Sequence, residues 1–278
     1  MNIAGLRFIL LTVSLLILGC ANVNTASNTA AEISSMAGMK SAELSGGQFV
    51  LQVYYRMNRP GAPLHIYLEG DGRAWLSRTR ASFNPTPKNP IGLMLAAQDP
   101  AENVMYIARP CQYVLFDKNP QCEYPYWTHQ RFAPEIIESV SAVINKGMKR
   151  ARADKLFITG YSGGGAVAVL VSAGRKDVQG IRTVAGNLDH KVWAEHHDID
   201  PLRGSLNPAD YAGAVVGIPQ IHYLGGRDEI IGSYVAESFR AKSGPDACIK
   251  IKAIPHASHS QGWGKVWPDL ITKDFPNC

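Results

Sequence analysis

The chain has 278 residues, 46% of them hydrophobic and 18% charged, with a formal net charge of +5. That length suits one large domain with a substantial core. The basic excess is modest and comes without a dense Lys/Arg run or interleaved aromatics. This argues against nucleic-acid binding and leaves anionic headgroups or acidic substrates as the partners such a bias favours.

The chain opens with MNIAGLR and runs into an apolar stretch from Phe8 to Leu18, followed by Gly19 and Cys20. A permanent membrane helix needs about 20 apolar residues, so this shorter run reads as a cleaved secretory signal. Ile17, Leu18 and Gly19 ahead of a cysteine resemble the lipobox of bacterial lipoproteins. The resemblance implies a signal peptide over 1–19 and lipidation of Cys20. Each CH₂ of an acyl chain buried in a bilayer contributes about 0.8 kcal/mol, so several chains on one cysteine would hold the protein firmly. Ala21, where an aspartate would retain the chain elsewhere, implies the periplasmic face of the outer membrane. Residues 20–47 are rich in Ala, Ser, Asn and Gly without sustained apolar periodicity, and predict a flexible tether. The folded domain is then expected over 48–278.

From Gln48 onward short apolar runs alternate with segments of helical period, which predicts an α/β chain with a mostly parallel sheet. Strands are expected at Phe49–Tyr55, Leu64–Leu68, Val104–Ile107, Leu156–Thr159, Ile181–Ala185, Gln220–Leu224 and Ile249–Ile254. The segment from Pro134 to Arg150 puts Ile136, Ile137, Val140, Val143, Ile144 and Met148 on one helical face. It starts with proline and ends basic, as helices prefer. Three irregular stretches, 71–90, 110–128 and 188–211, each follow a predicted strand, at the sheet end where such folds place ligands. Besides Cys20 four cysteines remain, and in an oxidising compartment four allow three pairings. Cys111 with Cys122 would close a short proline-flanked loop, and Cys248 with Cys278 would pin the tail. Each bond is worth about 2–4 kcal/mol.

The run LFITGYSGGGAVAVLVS carries the chemistry: a strand-like stretch, then Gly160-Tyr161-Ser162-Gly163-Gly164, then a helix of small residues. This is G-x-S-x-G in the strand-turn-helix setting that the motif requires. Such a turn strains the serine backbone, lifts its hydroxyl out of the sheet and aims the helix N-terminus at a developing oxyanion. From about Leu64 onward the chain resembles the α/β-hydrolase superfamily, whose triad runs serine, acid, histidine. The resemblance implies a central sheet with helices on both faces.

It also implies the partners of Ser162. Asp228, in LGGRDEIIG after a predicted strand, is the expected acid, with Glu229 and Asp189 as alternatives. His259, in IPHASHSQGW after the last strand, is the expected base, with His256 as the alternative. Two small residues before the histidine, Ala257 and Ser258, resemble the family loop and favour His259. A serine hydroxyl is a poor nucleophile until an imidazole takes its proton, and a carboxylate must fix that imidazole's tautomer. The oxyanion donors are expected from the backbone of Gly163 and of Asp71 or Gly72. Glu69-Gly70-Asp71-Gly72 resembles the oxyanion loop of lipases and esterases but departs from its His-Gly-Gly-Gly form.

Weaker signals surround this set. The arginines of GRAWLSRTR could gather an anionic part of a substrate or simply be solvated. His190, His196, His197, Asp198 and Asp200 match no metal motif, and no metal or other cofactor is expected. Trp193, Trp263 and Trp267 are expected to pack. The combined reading is a monomeric serine hydrolase acting on acyl esters of small molecules or lipids, bound to the membrane through Cys20. An amidase, a peptidase or an acyltransferase is the nearest alternative, and a non-catalytic envelope scaffold the alternative from another class.

Overall fold

The computed structural model describes residues 25–277. The leader expected over 1–19 and the lipidation expected at Cys20 lie outside the described residues, and so do Cys278 and its expected pairing with Cys248. Among the described residues no helix is long and apolar enough to cross a membrane.

Eight strands run through the described residues: β1 Lys40–Gly46, β2 Phe49–Met57, β3 Leu64–Leu68, β4 Asn103–Ile107, β5 Leu156–Tyr161, β6 Val178–Val184, β7 Gln220–Gly225 and β8 Ile249–Ile254. They form one sheet in the order β1-β2-β4-β3-β5-β6-β7-β8. β2 pairs antiparallel with β1 and β4, and every other pairing is parallel. The helices are α1 (residues 25–36), α2 (Ile91–Ala97), α3 (Pro134–Ala151), α4 (Gly163–Ser172), α5 (His190–His196), α6 (Ser233–Ser243) and α7 (Trp263–Ile271).

Successive side chains on a strand face opposite sides, so a sheet covered by helices on both faces needs apolar residues at nearly every position. Leu64, Ile66 and Leu68 of β3 join Met105 and Ile107 of β4 in a core with α3, α4 and α6. Tyr67, Val104 and Tyr106, pointing the other way, join a second core with Ala30 of α1 and with α2 and α7. The seven apolar runs read from the sequence are β2 to β8, each within a few residues of its expected bounds. Cys111 and Cys122 form the expected disulfide, with an S–S distance of 1.99 Å, in the connection between β4 and α3.

The tether expectation is corrected. Residues 25–36 are helical and 40–46 are an edge strand paired with β2, so the fold begins within the stretch read as a linker. The helix buries a stripe of small residues, Ala26, Ala30 and Ser34, which supplies close contact without an apolar signal. It ends with the N–H of Gly38 on the carbonyl of Ser35 and that of Met39 on Ser34, a Schellman closure at left-handed Gly38.

His222 of β7 is fully buried, its Nδ1 2.9 Å from Thr183 Oγ1 and its Nε2 without a partner among the described residues. Burial pushes its pKa from 6.5 down to about 3. The unfolded chain takes up a proton at this position between those values and the native chain does not. Stability is therefore lost as the pH falls through that window, at up to about 1.4 kcal/mol per pH unit from this group. In urea unfolding at pH 7 and pH 4.5, His222→Leu is expected to lose about 2 kcal/mol less than the parent chain over that interval. Equal losses would contradict the assignment.

Candidate active site

The loops after β3, β5, β7 and β8 converge at the C-terminal edge of the sheet. Ser162, between β5 and α4, holds φ 52° and ψ −121°, a region that costs on the order of 1–3 kcal/mol for a residue with a side chain. The turn is pinned to β6. The N–H of Ser162 donates to the carbonyl of Val184 at 2.9 Å, and the Ser162 carbonyl accepts from Gly165 at 2.9 Å and from Asn187 at 3.0 Å. Gly160 admits the close return of the helix, since a Cβ there would stand 2.1 Å from the carbonyl oxygen of Gly164.

Ser162 Oγ lies 3.0 Å from His259 Nε2, and His259 Nδ1 lies 3.0 Å from Asp228 Oδ2. An ionised carboxylate only accepts, so Nδ1 carries the proton and Nε2 is left to accept from the serine hydroxyl. The Asp228 side chain is fully buried, and its Oδ1 accepts from the N–H groups of Ile230 and Ile231, both at 2.9 Å. The histidine loop is held from behind: Trp263 Nε1 donates to the carbonyls of Ser258 and His259, and the Tyr161 hydroxyl donates to that of His259.

The alternatives lie elsewhere. His256 and Glu229 are exposed. Asp189 is buried but committed, capping α5 through Lys191 N–H and pairing with Lys242 at 2.8 Å.

The loop after β3 brings Asp71 against the serine turn. A Cβ on Gly163 would stand 2.0 Å from Asp71 Oδ1, so position 163 tolerates only glycine while Asp71 sits there. Among the described residues the N–H groups of Asp71, Gly72 and Gly163 donate to no protein acceptor. The Asp71 carboxylate is shared by Arg109 at 3.2 Å and Arg131 at 2.7 Å. Burial works to raise its pKa, but the guanidiniums of Arg131 and Arg109 outweigh burial and hold it below the usual carboxylate range.

Glu69, which replaces the histidine of the loop it resembles, is buried. Its Oε1 accepts from Gly70 and Gly92 N–H, and its Oε2 from the Tyr106 hydroxyl at 3.1 Å. It thereby ties this loop to the start of α2, and burial raises its pKa.

A cavity of about 520 Å³ opens over Ser162 and His259. Its walls include Trp75, Arg73 and Lys88 from the 71–90 stretch, Arg131, Asn187, Trp193 and Ile231. Trp263 and Trp267 are buried packing residues as expected, whereas Trp193 lines the cavity and donates to the carbonyl of Ile230 in the acid loop. Sequence reasoning missed Arg131 and Asn187, which belong to no motif and reach the cavity only through the fold. Asn187 Oδ1 is buried there without a partner among the described residues. Among the described residues, the 190–200 stretch included, no group of three or more His, Cys, Asp or Glu could hold a metal ion.

No protein-family model and no curated protein sequence matches the chain. Solved structures do. Est1E from Butyrivibrio proteoclasticus is similar with a TM-score of 0.59 and 12% identity, over 83% of this chain and 95% of its own. The Pyrococcus furiosus esterase Pf2001 is similar with a TM-score of 0.55 and 12% identity, over 84% of this chain and 88% of its own. The Pyrococcus horikoshii acylaminoacyl peptidase reaches 0.59 at 13% identity, over 83% of this chain and 39% of its own. The fold is that of the α/β hydrolases. The loops after β5, β7 and β8 that carry Ser162, Asp228 and His259 meet at one edge of the sheet.

Proposed function

We propose that the chain is a serine hydrolase that cleaves carboxylic esters through an acyl-enzyme intermediate. The observation that carries this reading is the continuous relay from buried Asp228 through His259 to Ser162, with the serine at the tip of a strained turn facing a cavity.

In the first half-reaction Ser162 Oγ attacks the ester carbonyl while His259 Nε2 takes its proton. The oxyanion forms beside the unpaired N–H groups of Asp71 and Gly163, donors worth about 3–4 kcal/mol each in comparable sites. His259 then protonates the departing alkoxide. In the second half-reaction water attacks the acyl carbonyl, His259 accepts its proton, and the same proton returns to Ser162 as the acid is released. Asp228 stays ionised throughout and holds the imidazole in one tautomer.

The same groups are competent for amides, and the similar structures include both an esterase and an acylaminoacyl peptidase. Esters are preferred here because alkoxide is the easier leaving group and because esterases are frequent on this fold, the second reason being analogy. The test is turnover of short-chain para-nitrophenyl esters beside aminoacyl para-nitroanilides by the purified full-length chain. Ester turnover in excess of anilide turnover is expected, and the reverse order would replace the esterase reading with a peptidase one.

A further inference from the structure

Three cations, Arg73, Lys88 and Arg131, line the cavity over Ser162, and two carboxylates, Glu69 and Asp71, share its walls. Neither carboxylate pairs with the rim cations Arg73 and Lys88 among the described residues. Asp71 is already divided between Arg109 and Arg131, so that cluster of two guanidiniums and one carboxylate keeps an uncompensated positive charge. Glu69 is turned inward to the N–H groups of Gly70 and Gly92 and the Tyr106 hydroxyl. Arg73 and Lys88 are exposed at the rim and form no ion pair among the described residues.

Arg131 is built in differently. It is 6% exposed, with Nε donating to the carbonyl of Thr128, Nη1 to Asp71, and the guanidinium 6.0 Å from the ring centre of Trp193. Its Nη2 donates to no protein atom among the described residues, although the side chain borders the cavity. A guanidinium fixed on one edge and open on another presents a pre-set donor to an oxyacid, and the cost of ordering that side chain has already been met in folding.

We propose that the cavity selects esters bearing an anionic group, a carboxylate or a phosphate, a few bonds from the scissile carbonyl. Arg131 binds that group from the wall, and Arg73 and Lys88 draw it in from the rim. The inference rests on the serine-hydrolase reading and adds the charge of its substrate. It also gives the loop arginine of GRAWLSRTR nearest the site a role beyond solvation.

Two pairs of esters matched in length test it. On the acyl side, para-nitrophenyl adipate monoester stands against para-nitrophenyl hexanoate. On the alcohol side, butyryl glycerophosphate stands against monobutyrin. In at least one pair the anionic member is expected to have the higher kcat/KM by about tenfold or more, a preference that shrinks as salt is added. Arg73→Glu, Lys88→Glu and Arg131→Gln are each expected to pull that ratio toward or below one. The two rim variants keep the test valid should the buried one fold poorly. Neutral members hydrolysed as well as anionic ones in both pairs would overturn the inference while leaving the hydrolase reading intact. Failure of all four esters together with failure of a fluorophosphonate to label Ser162 would overturn both.

Discussion

Ser162→Ala is expected to lower kcat for ester hydrolysis by about 10⁴- to 10⁶-fold while leaving the fold in place. Among the described residues the Ser162 hydroxyl makes one hydrogen bond, to His259 Nε2, and supports no neighbouring element. The backbone contacts that pin the turn, to Val184, Gly165 and Asn187, use main-chain atoms that alanine retains. Alanine also adopts the strained φ of this position at a cost close to that of serine. The circular dichroism spectrum and Tm should therefore match the parent, and the loss should appear in kcat. Ser260, which also borders the cavity, makes no hydrogen bond with His259 and offers no substitute nucleophile. A variant retaining a tenth or more of the parent rate would remove Ser162 from the mechanism.

His259→Ala is expected to cost about 10⁴-fold or more in kcat/KM, whereas His256→Ala is expected to stay within about twofold of the parent. The two histidines are three residues apart in one loop, and the contrast between them is geometric. The His259 ring sits between Ser162 and Asp228, and its backbone carbonyl is fixed by Trp263 and Tyr161. The His256 ring is exposed, with no hydrogen bond to either partner. Comparable losses in both variants would mean that the loop, rather than one imidazole, is what catalysis needs.

These residues also show what the sequence could and could not reveal. The turn at Ser162 was legible because it is a local object: strand, glycines, serine and helix lie within one short run. The seven strands β2 to β8 were legible because most are buried on both faces and must be written in apolar residues. β1 and α1 were not, because an edge strand half exposed to solvent and a helix seated by alanine and serine have no reason to look apolar. The chain order of the resembling family narrowed the base to two histidines, but only the returning loop after β8 separates them in space. Arg131 and Asn187 were invisible because their meaning depends on what surrounds them once folded. Glu69 looked like a departure from a lipase loop, and its buried carboxylate instead fastens that loop to α2.

Covalent labelling reads directly the proposed activation of Ser162 by His259 and Asp228. The purified full-length chain would be treated with a fluorophosphonate and mapped by peptide mass spectrometry, beside Ser162→Ala, His259→Ala and His256→Ala. One adduct is expected, on Ser162, absent in Ser162→Ala, slowed by orders of magnitude in His259→Ala and unaffected in His256→Ala. An unlabelled parent chain, or an adduct elsewhere that persists in Ser162→Ala, would contradict it.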